Sequence, residues 1–139
     1  MAIVCLIWLA GCSTAAQAAQ RHGLPETAAR TYAENYKDMM LALCFATAYK
    51  NVPNVLEAAE NAASALHEWT RFDEERATGV NVKLIDRYLA RTYHAKEGSK
   101  IDLSILKCID MRHSAELEAQ VQQYVDKPTA TYVTDQQEE

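Results

Sequence analysis

The chain has 139 residues, 49% of them apolar, which suits one domain with a modest core and excludes a disordered chain. Its formal charge of −5 argues against nucleic-acid binding, which needs a basic surface to neutralise phosphates. Only four Gly and three Pro, against abundant Ala, Leu, Glu and Gln, point to helix.

Met1 to Gln20 carries no charged side chain. Within it, Ala2 to Gly11 is an apolar run too short to span a bilayer but suited to the core of an export signal. Two cleavage signals overlap downstream. Leu9-Ala10-Gly11-Cys12 resembles a bacterial lipobox, which would place a lipidated Cys12 at the mature N-terminus. Ala16-Gln17-Ala18 fits a small-x-small site, with cleavage after Ala18. Residues 1–18 are therefore read as an export signal, cut before Cys12 or after Ala18. The mature protein is expected in the periplasm, with outer-membrane anchoring if Cys12 is lipidated.

The helical pattern starts at Pro25, whose fixed φ suits a first turn, with Glu26 complementing the dipole. Tyr32, Tyr36, Met39, Met40, Leu43, Cys44 and Thr47 then recur at three- and four-residue steps, giving a helix to about Ala48. Pro53 ends it, and Asn54 is placed as the cap of a second helix running to about Thr70. Val55, Leu56, Ala59, Ala62, Ala63, Leu66 and Trp69 form its apolar face. Arg71 to Gly79 reads as an exposed connection. Val80, Val82, Leu84, Ile85, Tyr88, Leu89 and Tyr93 define a third helix from about Asn81 to His94.

His94 to Lys100 holds no apolar residue larger than alanine and contains Gly98-Ser99, the clearest loop in the chain. Asp102 is positioned to cap a fourth helix bearing Leu103, Leu106, Cys108, Ile109 and Met111. Ser114 can cap a fifth, with Leu117, Val121, Tyr124 and Val125 on its inner face and Pro128 as its stop. The tail 129–139 is polar and acidic, with Tyr132 and Val133 alone to dock it, and is expected to fray. The expected architecture is all-α: a single domain of about five helices over residues 24–128.

Cys5 and Cys12 lie in the signal region, leaving Cys44 and Cys108, each in a helical apolar stripe. In an exported protein such a pair most simply forms one intramolecular disulfide; two unpaired buried thiols are the bland alternative. A zinc site is disfavoured. Cys108 and His113 are five apart, Cys44 has no nearby histidine, and four ligands in two close pairs are missing. There is no C-x-x-C, nucleophile elbow or phosphate-binding glycine loop. The residues thus read as a non-enzymatic helical domain without metal or cofactor.

Four blocks carry a resemblance. They are Tyr32-Ala33-Glu34-Asn35-Tyr36-Lys37-Asp38-Met39 through Cys44; Ser64-Ala65-Leu66-His67-Glu68-Trp69-Thr70; Tyr88-Leu89-Ala90-Arg91-Thr92-Tyr93-His94; and Leu106-Lys107-Cys108-Ile109-Asp110 with His113-Ser114-Ala115-Glu116-Leu117. Together, from about Thr31 to Pro128, the chain resembles the immunity proteins that neutralise the fourth class of type VI secretion amidase effectors. The resemblance implies a periplasmic, dimeric, all-helical inhibitor of a papain-like cysteine amidase that cuts peptidoglycan stems. It implies that a protruding loop blocks the enzyme's groove, and it places paired cysteines at Cys44 and Cys108. By order along the chain the loop is Lys96, Glu97, Gly98, Ser99 and Lys100, whose Gly-Ser tip suits a narrow groove. Arg71, Asp73 and Glu75 are the competing contact site. The alternative function is a periplasmic or lipid-anchored helical protein for ligand binding or envelope maintenance, without an effector partner.

Overall fold

The computed structural model describes residues 23–94 and 101–137. A 3-10 turn, Glu26–Ala29, precedes six α-helices: α1 Tyr32–Ala48, α2 Pro53–Glu68, α3 Glu74–Leu89, α4 Ser104–Arg112, α5 Ala115–Tyr124 and α6 Tyr132–Asp135. Among the described residues there is no strand, only two isolated antiparallel bridges, Thr31 with Thr131 and Phe72 with Val125. The all-α expectation holds, and a short helix in the tail adds to the expected five.

α1 is the axis of the domain. The Thr31 side chain accepts from the Glu34 N–H and starts the helix, which satisfies one of its orphan donors. Tyr32, Asn35, Tyr36, Met39, Met40, Ala42, Cys44 and Ala46 are all buried, more than one stripe could supply, so neighbours cover α1 on several sides. α2 packs along it, with Ala59 and Ala63 buried; their small side chains permit close approach. Leu84, Ile85 and Tyr88 of α3, Cys108 and Met111 of α4, and Leu117 and Val121 of α5 complete the core. Cys44 and Cys108 are bonded, with Cα atoms 5.7 Å apart, fastening α4 to α1.

Several boundaries differ from the sequence reading, each for a local reason. The first helix does not run from Pro25: Arg30 and Thr31 are extended, because the Tyr32 N–H donates to Ala130 and the Ala33 N–H to Pro128. Val52, not Asn54, precedes α2, with Pro53 inside its first turn, where the missing N–H costs nothing. Much of the supposed connection Arg71–Gly79 is helix. The Asp73 side chain accepts from the Arg76 N–H, and Glu74 and Glu75 follow in the first turn, which suits the positive helix end. α3 stops at Leu89 rather than His94. α5 ends at Tyr124, ahead of Pro128, as Val125 turns extended and the Asp126 N–H donates to Arg71.

The tail packs instead of fraying. Thr131 and Thr134 form a reciprocal capping box at the start of α6. Asp135 is 3% exposed and accepts from the Tyr32 hydroxyl at 3.0 Å and from the Lys127 ammonium at 2.8 Å. Arg71 Nε lies 3.0 Å from the same carboxylate. Trp69 packs edge-on against Tyr132, ring centroids 4.7 Å apart.

Candidate functional site

Lys96, Glu97, Gly98, Ser99 and Lys100 lie outside the described residues, as does Cys12. What is described are the two stems of that loop, and both are pinned. On the incoming side the Lys107 ammonium donates to the Leu89 carbonyl at 2.9 Å and lies 5.8 Å from the Tyr93 ring centroid. The Tyr93 hydroxyl donates to Asp110, which raises the Tyr93 pKa. Arg91 stacks on Tyr88, 3.5 Å from the ring centroid, and reaches Glu116 at 3.5 Å. The last turn of α3 and the residues after it are thereby laid along α4 and the start of α5.

On the outgoing side, Asp102 takes the Ser104 N–H at 2.8 Å and the Tyr49 hydroxyl at 3.0 Å. These bonds favour the ionised carboxylate and hold its pKa below the usual value, the Ser104 donors first and then Tyr49. Asp102 thus does the capping work expected of it, although Leu103 occupies the residue before the helix. Tyr49 directly follows α1, so this stem is tied to α1. Cys108 sits between Lys107 and Asp110, and its bond to Cys44 makes the platform under both stems continuous with the core.

The outer face of α4 corrects another expectation. Leu106 and Ile109 are not core residues: they are 43% and 39% exposed, beside Ile105 at 50% and Ile101 at 59%. Cys108 and Met111 take the buried positions. Ile105 and Ile109, one turn apart on α4, form an outward apolar pair, with Ile101 exposed just before the helix. The sequence carried this signal: a nine-residue helix with isoleucines on one side and Cys108 and Met111 on another cannot turn both inward.

The competing contact residues stand elsewhere. Asp73 caps α3, Arg71 pairs with Asp135, and Glu75 is exposed in the first turn of α3. They flank the start of a 16-residue helix, so about 24 Å of helix separates them from its Leu89 end. No group of three or more His, Cys, Asp or Glu able to hold a metal occurs among the described residues.

The family profile of Tai4, the type VI secretion system amidase immunity protein, matches residues 34–121, more than half of the chain. The chain belongs to this family. A Tai4 member is an immunity protein of the type VI secretion system, and the matched span includes both bonded cysteines, both loop stems and the loop. A solved chain described under "New Type VI-secreted toxins and self-resistance proteins in Serratia marcescens" is 28% identical. It aligns with a TM-score of 0.69 over 76% of this chain and 85% of its own. No curated protein matches this chain.

Proposed function

We propose that this Tai4 protein binds a type VI peptidoglycan amidase of the papain-like cysteine class in the periplasm and inhibits it by inserting the loop Lys96–Lys100 into its active-site groove. The observation that carries the reading is the double anchoring of the stems, Leu89 and Tyr93 on α4 and Asp102 on Tyr49. A short loop between two fixed ends loses less freedom on binding than a free one, so more of the contact energy appears as affinity. The outward isoleucines beside the stem supply apolar surface of the kind that anchors interfaces. The export segment, cut before Cys12 or after Ala18, would carry the chain to the compartment where such an amidase acts, and no catalytic activity of its own is required. We further propose a homodimer. The apolar groove between α1 and α2, lined by Leu41, Phe45, Val55 and Leu66, is surface a second copy could cover.

The test is binding and protection. A peptidoglycan amidase effector of the type VI secretion system, sought in the reading frame beside this chain, should form a stoichiometric complex with it, lose activity, and cease to lyse cells when both are exported. Replacing Gly98 and Ser99 with tryptophan should weaken the complex by an order of magnitude or more. Unchanged affinity in that variant, with loss on replacing Arg71, Asp73 and Glu75, would move the contact to the start of α3. Failure of any complex would overturn the reading.

A further inference from the structure

α4 has little of its own to hold it in place. It is nine residues long, below the length at which a helix stands alone in water, and Cys108 and Met111 alone of its side chains are buried. Ile105, Leu106 and Ile109 turn outward, 50%, 43% and 39% exposed. Its polar ties to α1 lie at the two ends. Asp102, ahead of α4, accepts from the Tyr49 hydroxyl in an exposed bond, and Arg112 donates to Asp38 and Glu34 of α1 at 2.7 and 2.9 Å. Lys107 and Asp110 bond to the Leu89 carbonyl and the Tyr93 hydroxyl, which joins α4 to the end of α3 and not to α1. Ahead of Met111, Cys108 supplies the one buried side chain of α4, and its bond to Cys44 carries that stretch onto α1.

The bond is also shielded. Cys44 and Cys108 are both 0% exposed, and a thiolate must reach a sulfur to reduce it. Reduction therefore waits on an opening of the structure around α4. A dithiol then supplies two electrons and two protons, leaving two cysteine thiols and becoming a cyclic disulfide itself.

We infer that the Cys44–Cys108 bond is a redox-set latch on α4. Oxidised, it makes α4 and the stems at Tyr93 and Asp102 open only together with the core. Reduced, α4 opens as a separate unit, pivoting on Arg112, while α1, α3 and α5 stay folded. Loop closure by itself acts on the unfolded chain and would shift every helix alike. The shortness of α4 and its two buried side chains make the effect local. The chain thus completes its platform only in an oxidising compartment, and the docked helix, by covering the sulfurs, keeps it complete. This holds whatever enzyme the loop meets.

Native-state hydrogen exchange of the full mature chain tests the latch, in the oxidised form and after unfolding, reduction and refolding in dithiothreitol. Oxidised, the amides of residues 107–112 should exchange within about threefold of those of residues 39–42 in α1; reduced, they should exchange roughly thirtyfold faster or more. With the bond intact, Met111→Ala should lower the stability of the whole domain and leave residues 107–112 within the same range of α1. Three results would each overturn the inference: equal acceleration of α4 and α1 on reduction, loss of all protection together in the reduced chain, or separate opening of α4 while the bond is intact.

Discussion

Lys107 donates its ammonium to the Leu89 carbonyl at 2.9 Å, one residue before the disulfide-bonded Cys108. The end of α3, where the loop begins, is therefore held by the same helix that the disulfide fixes to α1. Lys107→Met keeps the length of the side chain and removes this bond. The expected loss of stability is about 0.5–1.5 kcal/mol, read from a urea titration, with a several-fold loss of affinity for the amidase by calorimetry. Equal affinity at reduced stability would mean that this bond does not preorganise the loop.

Removing the disulfide reaches the same platform from the other side. Its cysteines are 64 residues apart, and the chain-entropy relation gives about 4 kcal/mol for a closed loop of that size. A Cys44→Ala, Cys108→Ala variant should lose up to that amount in denaturant unfolding. The reduced native protein should show the same loss, and in both the affinity for the amidase should fall by less than the stability does.

The outer stripe of α4 makes the opposite prediction. Ile105 and Ile109 are 50% and 39% exposed, so Ile105→Ser with Ile109→Ser should leave stability within about 0.5 kcal/mol per site. If the stripe flanks the bound amidase, affinity should drop about tenfold. A double variant with unaltered affinity removes the stripe from the interface.

Much of the fold was legible because it rests on local chemistry. Ser114 and Asp102 cap helices as side-chain type and position suggest, and two cysteines in helical stripes found each other. The failures are long-range. Nothing near Arg30 reveals that Ala130, a hundred residues on, takes the Tyr32 N–H and breaks the first helix. Nothing in the acidic tail shows that Asp135 will meet Tyr32 and Lys127. At the candidate site, the loop reading rests on the Gly98-Ser99 turn, which lies outside the described residues. Its supports were missed because Tyr49–Asp102, Tyr93–Asp110 and Lys107–Leu89 are pairings between helices that no periodicity encodes.

The packed tail is itself testable. Thr131 starts α6 through a capping box and is 7% exposed. Thr131→Ala should cost about 1 kcal/mol and raise hydrogen exchange in residues 131–137 first. Exchange there at unfolded rates in the unaltered protein would contradict the docking.

Stability should fall at both ends of the pH scale. Tyr32 and Tyr36 are each pushed up to about 12 by burial. The hydrogen bond to Asp135 adds to the rise at Tyr32, and the bond to Asn81 opposes it at Tyr36. The unfolded chain would release these protons nearer 10, so their contribution is complete below about pH 10 and is lost between about 10 and 12. At the acid end Glu34 is held down chiefly by the Lys37 hydrogen bond, and Asp135 by that of Lys127. Their contribution is present above the ordinary carboxylate range and disappears as pH falls through the lower folded values. A thermal midpoint that stays flat from about pH 10 to 12 would contradict the tyrosine assignment.

The covalent ring closed by Cys44 and Cys108 has one more consequence. The loop at Lys96 to Lys100 lies inside it, so a protease that severs the loop once leaves two fragments still joined through sulfur. Neither piece can diffuse away, and α3 and α4 remain held to α1 by the linkage and the packing that surrounds it. On a gel, nicking would be silent until a reductant is added. For the proposed amidase inhibitor, this linkage confers tolerance to a single cut within that segment.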